Sequence, residues 1–135
     1  MPENWHTAGQ AKGSYSTFGK SPDIKDKRVF FYKGLFQNTF KKWIKDVSID
    51  DESIIFCHFD ADLYSSTLFG LTKIGSLGRT FYCMFDEFFG DENRALEDFK
   101  QSYLFKATLL GSGVNSRNSL GQISNRNCLF IIQPL

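Results

Sequence analysis

The sequence predicts an α/β fold with a largely parallel sheet, and three features carry that prediction. Apolar runs of strand length occur at residues 53–59 and 80–85. They lack strict alternation, which is typical of parallel strands covered on both faces. A stretch with helical periodicity follows each run. The last two apolar segments, 106–110 and 128–133, have no obvious helix between them, so we expect them to pair antiparallel.

The predicted elements follow the order β-α-β-α-β-α-β-β, as expected for a parallel sheet with helices on both faces. Residues 1–27 contain many Gly, Ser and Thr and are predicted to be mostly loop. Residues 29–33 (VFFYK) form the first predicted strand, which ends at Gly34. Residues 39–47 are predicted to be helical because their apolar side chains recur at i, i+3, i+4 and i+7.

The second predicted strand, residues 53–59, stops at Asp60. A helix is predicted over residues 63–74, where apolar side chains can form one side. Gly75 and Gly78 follow it and favour a helix end there.

The third predicted strand, residues 80–85, leads into a helix over 91–104. Asp91 and Glu92 favour the positive N-terminal end of this helix. Residues 111–122 are interpreted as a turn-rich connection. A Gly-Ser-Gly string opens it and indicates a hairpin turn, because a phosphate-binding loop needs a third glycine and a following helix.

Length and composition exclude several classes of protein. The chain has 135 residues, which suits one domain over 1–135, and its net charge is +1 with 16 basic and 15 acidic residues. A dispersed, nearly neutral charge does not indicate a nucleic-acid or membrane partner. The polar start is unlike a signal peptide, and no apolar run approaches a membrane span. We therefore expect a soluble, cytoplasmic protein.

The sequence contains three cysteines, Cys57, Cys83 and Cys128. Each lies inside an apolar run, the number is odd and no C-x-x-C string occurs. This pattern indicates buried, reduced thiols rather than a disulfide or a zinc site.

Two acidic clusters directly follow neighbouring predicted strands: Asp60 with Asp62, and Asp86 with Glu87. Ligands of open α/β sheets bind at the carboxyl ends of the strands. Hard carboxylate oxygens there suit Mg²⁺, which can orient a substrate hydroxyl and lower its pKa. The alternative is that these acids cap the following helices, Asp62 above all. His58, inside a strand, is interpreted as a hydrogen-bonded core residue rather than a base.

Residues 58–67 (HFDADLYSST) resemble the D-x-D-L-Y-x-S-T signature of the macrocin O-methyltransferase (TylF/MycF-like) family. That family belongs to the class I methyltransferases, which depend on S-adenosylmethionine (SAM). Weaker likenesses extend along the chain: an acidic pair after the next strand, a G-x-F-x-x-T segment, an L-P-E-x-W segment and an acidic helix start. They lie at 84–88 (MFDEF), 33–39 (KGLFQNT), 2–5 (PENW) and 91–95 (DENRA).

The resemblance implies a function and a set of site residues. It implies an O-methyltransferase that transfers a methyl group from SAM to a hydroxyl of a sugar or other small molecule. Mg²⁺ or another divalent cation would be held by Asp60, Asp86 and Glu87, although the family more often has Asp at the third position. Asp60 and Asp62 are the candidate catalytic residues.

Other parts of the site follow from the same resemblance. Gly34 and Phe36, in the G-x-F-x-x-T segment, are the candidate cofactor-binding residues. Tyr64 and Thr67 would lie in or around the metal site.

The chain also departs from the family. It has neither the Gly-rich loop after strand one nor the acidic residue after strand two that hold SAM. The resemblance therefore covers only the C-terminal part of a Rossmann-like sheet whose family order is 3-2-1-4-5-7-6, with strands one and two absent. The strand at 53–59 would gain an exposed edge. Such an edge favours a homo-oligomer or pairing with a separately encoded N-terminal half.

Two other functions stay open at this point. The chain is alternatively a truncated or split methyltransferase half, without independent activity, that serves as a metal-binding or partner-binding domain. A weaker alternative is a divalent-metal-binding α/β domain of another class, with a phosphatase-like or receiver-like fold.

Overall fold

The computed structural model describes residues 16–117, 119–121 and 123–135. The chain divides into two compact units, Met1–Asp46 and Val47–Leu135. The loop prediction for the first 15 residues and the motif at 2–5 lie outside the described residues.

The described part of the first unit, residues 16–46, contains one helix, α1 (Phe36–Asp46), after an irregular stretch from residue 16 to residue 35. The predicted helix at 39–47 is thus present, beginning three residues earlier. The predicted strand at 29–33 is wrong, because these residues form no strand. A strand needs a neighbour to take up its backbone N–H and C=O groups. No described segment pairs with this one.

The second unit is a four-stranded mixed sheet with two helices, which confirms the predicted α/β class. The strand order is β1-β2-β4-β3, with β1 at one edge. β1 pairs parallel with β2, whereas β4 pairs antiparallel with both β2 and β3, as predicted for the terminal pair. The elements are β1 (Phe56–Phe59), α2 (Tyr64–Gly75), β2 (Phe81–Phe85), α3 (Asp91–Tyr103), β3 (Phe105–Arg117) and β4 (Ile123–Pro134).

The core of this unit lies on one face of the sheet. Along β2, Phe81, Cys83 and Phe85 are buried and the residues between them are half-buried. α2 packs on this face, because a Cβ placed at Gly70 would lie 2.4 Å from the Phe59 ring. α3 packs on the same face through Phe99, whose ring centroid lies 6.5 Å from that of Phe81. Within Val47–Leu135, the helices therefore cover one face and not both.

β3 and β4 are much longer than the predicted strands at 106–110 and 128–133. Gly111 and Gly113 lie inside β3, opposite Leu129 and Asn127 of β4, so the prediction of a turn at this Gly-Ser-Gly string is wrong. Glycine and serine disfavour strands by propensity, but pairing along β4 outweighs that preference here. A register shift between Leu109 and Gly111 marks an irregularity of the β-bulge type.

The three cysteines are free thiols, with Cys83 and Cys128 buried and Cys57 half-buried. Cys57 lies directly opposite Cys83 in the β1–β2 register. Among the residues that the structure describes, no helix is long and apolar enough to cross a membrane.

Candidate functional site

Each acidic cluster lies in a loop that follows a strand: Asp60 and Asp62 follow β1, and Asp86 and Glu87 follow β2. These two acidic loops lie side by side because their strands are adjacent and parallel. Phe59 ends β1 and Phe85 ends β2, and the two residues are opposite each other in the register. The backbone N–H of Asp86 donates to the carbonyl of Phe59 at 3.0 Å. Asp60 and Asp86 therefore lie next to each other at the carboxyl ends of β1 and β2, immediately after the last paired residues.

The first acidic loop makes a tight turn at Asp62. The φ angle of Asp62 is 55°, in the left-handed region that a residue with a Cβ seldom adopts. The Leu63 N–H donates to the Ala61 carbonyl at 2.6 Å across this turn. Leu63 is the N-cap of α2 and makes no side-chain cap hydrogen bond. Asp62 is therefore not the cap residue of α2, and its left-handed backbone is a conformation that Asp adopts more readily than most residues do.

Asp86 is held by a residue that sequence patterns did not single out. The side-chain amide of Asn127, on β4, donates to Asp86 Oδ1 at 2.7 Å. His58 Nε2 lies 4.0 Å from the same oxygen, and the His58 side chain is 45% exposed. The prediction of a core histidine is wrong. β1 is an edge strand, and successive side chains along it point to opposite faces, so that Phe59 is buried and His58 is exposed.

The acidic side chains act on one another electrostatically. Burial raises the pKa of Asp62, and the negative charges of Asp60 and Asp86 raise it further. Burial also raises the pKa of Glu87, with additional repulsion from Asp62, Asp86 and Asp60. A nearby negative charge disfavours the ionised form of a carboxyl group. A bound cation would instead favour the ionised form.

Glu92 is the most buried member of the group, at 2% exposure. Its Oε2 accepts a hydrogen bond from the Glu87 N–H at 3.2 Å. Burial, followed by the charges of Asp62 and Asp86, raises the pKa of Glu92 to about 7. The sequence predicted Glu92 only as an acid at a helix start, because nothing in its spacing shows that its side chain is buried and accepts a hydrogen bond from the preceding loop.

Two residues implied by the family resemblance lie on α2. The Tyr64 hydroxyl donates to Asp98 Oδ2 of α3 at 2.8 Å, and the Arg94 guanidinium lies 4.3 Å from the Tyr64 ring centroid. Thr67 is fully buried, and its Oγ1 has no hydrogen-bond partner among the described residues. Tyr64 therefore links α2 to α3 near the acidic loops.

The acidic group fits a hard divalent cation in chemistry but does not form a coordination shell. Its donors are carboxylate oxygens, which Mg²⁺ prefers. The buried Glu92 Oε1 has no hydrogen-bond partner in the described part of the chain, which indicates a missing polar neighbour. However, no three His, Cys, Asp or Glu side chains in residues 16–117, 119–121 and 123–135 are arranged to hold a metal ion.

Gly34 and Phe36, the candidate cofactor residues, belong to the first unit. Gly34 has a φ angle of 144°, and Phe36 is the first residue of α1 and 46% exposed. Two open clefts of about 340 and 390 Å³ lie in this unit, and both are lined in part by Tyr32 and Lys33. Neither Gly34 nor Phe36 lines either cleft.

Comparison with known proteins adds no relative. No protein-family model matches the chain, and neither a curated protein nor a solved structure is significantly similar to it. The methyltransferase resemblance of the acidic motifs therefore stays a hypothesis that rests on the chain's own residues and fold.

Proposed function

We propose that this chain is the acceptor-binding and metal-binding part of a SAM-dependent, divalent-metal-assisted O-methyltransferase that acts on a hydroxyl of a sugar or other small molecule. One observation carries the proposal. The acidic pairs Asp60/Asp62 and Asp86/Glu87 follow adjacent parallel strands and share one edge of the sheet. There burial, together with the neighbouring negative charges, raises the pKa values of Asp62 and Glu87.

The strand order supports the same proposal. The sheet runs β1-β2-β4-β3 with only the first pair parallel. This order matches the segment 4-5-7-6 of the sheet in the resembled family. In that correspondence β1 is strand four, which would adjoin strand one in a complete methyltransferase. The incomplete Rossmann-like sheet is thus the fold that we propose for the chain.

The site residues divide into two roles under this proposal. Asp60, Asp86 and Glu87 would hold the cation, and Asp60 or Asp62 would accept the proton of the acceptor hydroxyl. A bound divalent cation supplies positive charge that lowers the pKa of that hydroxyl. The chain's own contribution is mainly orientation of the hydroxyl oxygen and a local proton acceptor. Gly34 and Phe36 would contribute to the site of the methyl donor.

A second candidate function has an observation of its own. β1 is an edge strand, and Ile54 and Phe56, before and within it, are 80% and 57% exposed. An apolar edge strand is a site for pairing with another chain. The alternative is therefore a methyltransferase half that is inactive until a second copy or an N-terminal half completes the sheet.

Calorimetric titration distinguishes these functions. The purified chain is titrated with Mg²⁺, and then with SAM in the presence and absence of Mg²⁺. The variant Asp60→Asn/Asp86→Asn is compared with Glu97→Gln, a control carboxylate on α3 that pairs with Lys100 at 2.8 Å. Saturable Mg²⁺ heat that only the double variant loses supports the metal site. Absence of that heat from the unaltered chain would refute it.

The SAM titration then separates the two functions. Saturable SAM binding by the chain alone supports an independent enzyme. Mg²⁺ binding without SAM binding supports the incomplete half.

A further inference from the structure

Two cysteines face each other across the parallel pair of strands β1 and β2. Cys57 lies directly opposite Cys83 in the register. Opposite residues of neighbouring strands point to the same face of the sheet. This face is the one that the helices cover, because Phe81, Cys83 and Phe85 are all buried along β2. Two free thiols therefore lie side by side where the core meets the edge strand.

The spacing of the strands brings this pair within reach of a disulfide. Neighbouring strands lie about 4.7–4.9 Å apart, and opposite residues are separated by roughly that distance. A disulfide needs a Cα separation of about 4.4–6.8 Å and a Cβ separation of about 3.5–4.5 Å. The first condition is met, and the second requires the strands to approach by about 1 Å or less. The bond can therefore form in the folded chain, but under a strain that makes it easy to reduce.

The three cysteines differ in access and in neighbours. Cys57 is half-buried on the edge strand, so a reagent in solution reaches it first. Cys83 is fully buried behind it. Cys128 is also buried, but it lies opposite Phe85 and Ser112 and faces no cysteine in the register. An accessible thiol beside a second, resolving thiol is the arrangement of a reversibly oxidised pair.

We propose that Cys57 and Cys83 form a reversible oxidation site, at which a hydroperoxide converts two thiols into a disulfide. The Cys57 sulfur loses its proton and attacks one peroxide oxygen. The O–O bond breaks, and Cys57 becomes a sulfenic acid while the other oxygen leaves as water or an alcohol. The Cys83 sulfur then attacks the Cys57 sulfur, so that the S–S bond forms, the S–O bond breaks and water leaves. The two thiols lose two electrons in total, and the peroxide gains them.

The disulfide would fasten the strands that carry the two acidic loops. β1 is an edge strand and is paired only with β2. The Asp86 N–H, just beyond the paired residues, donates to the Phe59 carbonyl at 3.0 Å. Separation of β1 from β2 breaks this hydrogen bond and exposes the amide to exchange with solvent. A covalent link between Cys57 and Cys83 opposes that separation and so keeps the two loops side by side. This effect does not depend on the proposed methyltransferase function.

The test treats the full folded chain with hydrogen peroxide near neutral pH. The remaining thiols are alkylated in denaturant, and tryptic peptides are compared by mass spectrometry with and without reduction. Basic residues separate the three cysteines, so that trypsin releases each one in a different peptide: Lys73, Arg79, Arg94 and Arg126. We expect a reducible link between the peptides of Cys57 and Cys83, with Cys128 alkylated. Dithiothreitol should restore both thiols without denaturant.

Matched variants and one amide complete the test. Cys128→Ser should form the same link, whereas Cys57→Ser should leave the thiol of Cys83 reduced. In the oxidised chain, hydrogen exchange of the Asp86 amide, followed by NMR, should slow by about tenfold or more.

Several results would overturn the oxidation site. These are a chain whose thiols do not react, a link from Cys57 to a second copy, and a sulfinic acid at Cys57 beside a reduced Cys83. A link that includes Cys128 would overturn it as well. If the expected link forms but exchange at Asp86 is unchanged, the oxidation site is supported and its effect on the acidic loops is refuted.

Discussion

Substitution of Glu92 by Gln should remove an unusual dependence of stability on pH. The pKa of Glu92 rises from 4.5 to about 7 in the folded chain, mainly through burial. Because the folded-state pKa is above the unfolded-state value, this contribution to stability is fully present below pH 4.5. It is lost as pH rises through about 7. At about 1.36 kcal/mol per pKa unit, the ionised side chain lowers the free energy of unfolding by about 3 kcal/mol.

Chemical denaturation in EDTA, from pH 4.5 to pH 8, measures this effect on the chain and on Glu92→Gln. The two proteins should have nearly equal free energies of unfolding at pH 4.5, where Glu92 is protonated and resembles glutamine. At pH 8 the variant should be more stable by up to about 3 kcal/mol. A variant that is less stable than the unaltered chain at pH 8 would refute the reasoning, because the hydrogen bond from the Glu87 N–H would then outweigh burial.

Three further substitutions test the packing around the site. Gly70→Ala places a Cβ 2.4 Å from the Phe59 ring. Urea denaturation should show a loss of about 1–3 kcal/mol despite the better helix propensity of alanine, and no loss would contradict this packing. Arg79→Lys removes a guanidinium that donates to three backbone carbonyls just before β1, at 2.5, 2.9 and 2.7 Å. Thermal unfolding should show that the free energy of unfolding falls by about 1–3 kcal/mol, and an unchanged unfolding midpoint would contradict this. Asn127→Ala removes the amide that donates to Asp86 Oδ1, so the Mn²⁺ affinity should fall severalfold while the free energy of unfolding changes by less than about 1.5 kcal/mol. Equal affinity would show that Asn127 does not orient Asp86.

Elements with buried apolar runs were predictable from the sequence. The runs at 53–59 and 80–85 contain β1 and β2, and the periodic stretch at 91–104 contains α3. These elements form where a continuous stretch of apolar side chains is buried, so the pattern of apolar residues in the sequence predicts them. The stretch at 29–33 has the same apolar character but forms no strand. A strand depends on partners elsewhere in the chain, and its own residues do not show whether those partners are present.

The candidate site was only partly predictable for the same reason. Asp60 and Asp86 follow apolar runs, so their shared edge follows from the parallel pairing of those runs. Asn127 reaches Asp86 across 41 residues of sequence, and no local pattern marks such a contact. Glu92 looks like an ordinary acid at a helix start. Its burial depends on how α3 packs against the rest of the unit, which only the assembled fold shows.

The position of β4 in the sheet has a consequence for how the unit folds. β4 is the last strand in chain order, yet it lies between β2 and β3. Residues 81–85 can pair on that side only with residues 128–132, which are made much later during synthesis. Closing such a long loop slows folding. We therefore expect the sheet, and with it the Asn127–Asp86 contact, to form only after β4 has left the ribosome, which leaves the β2 edge open until then.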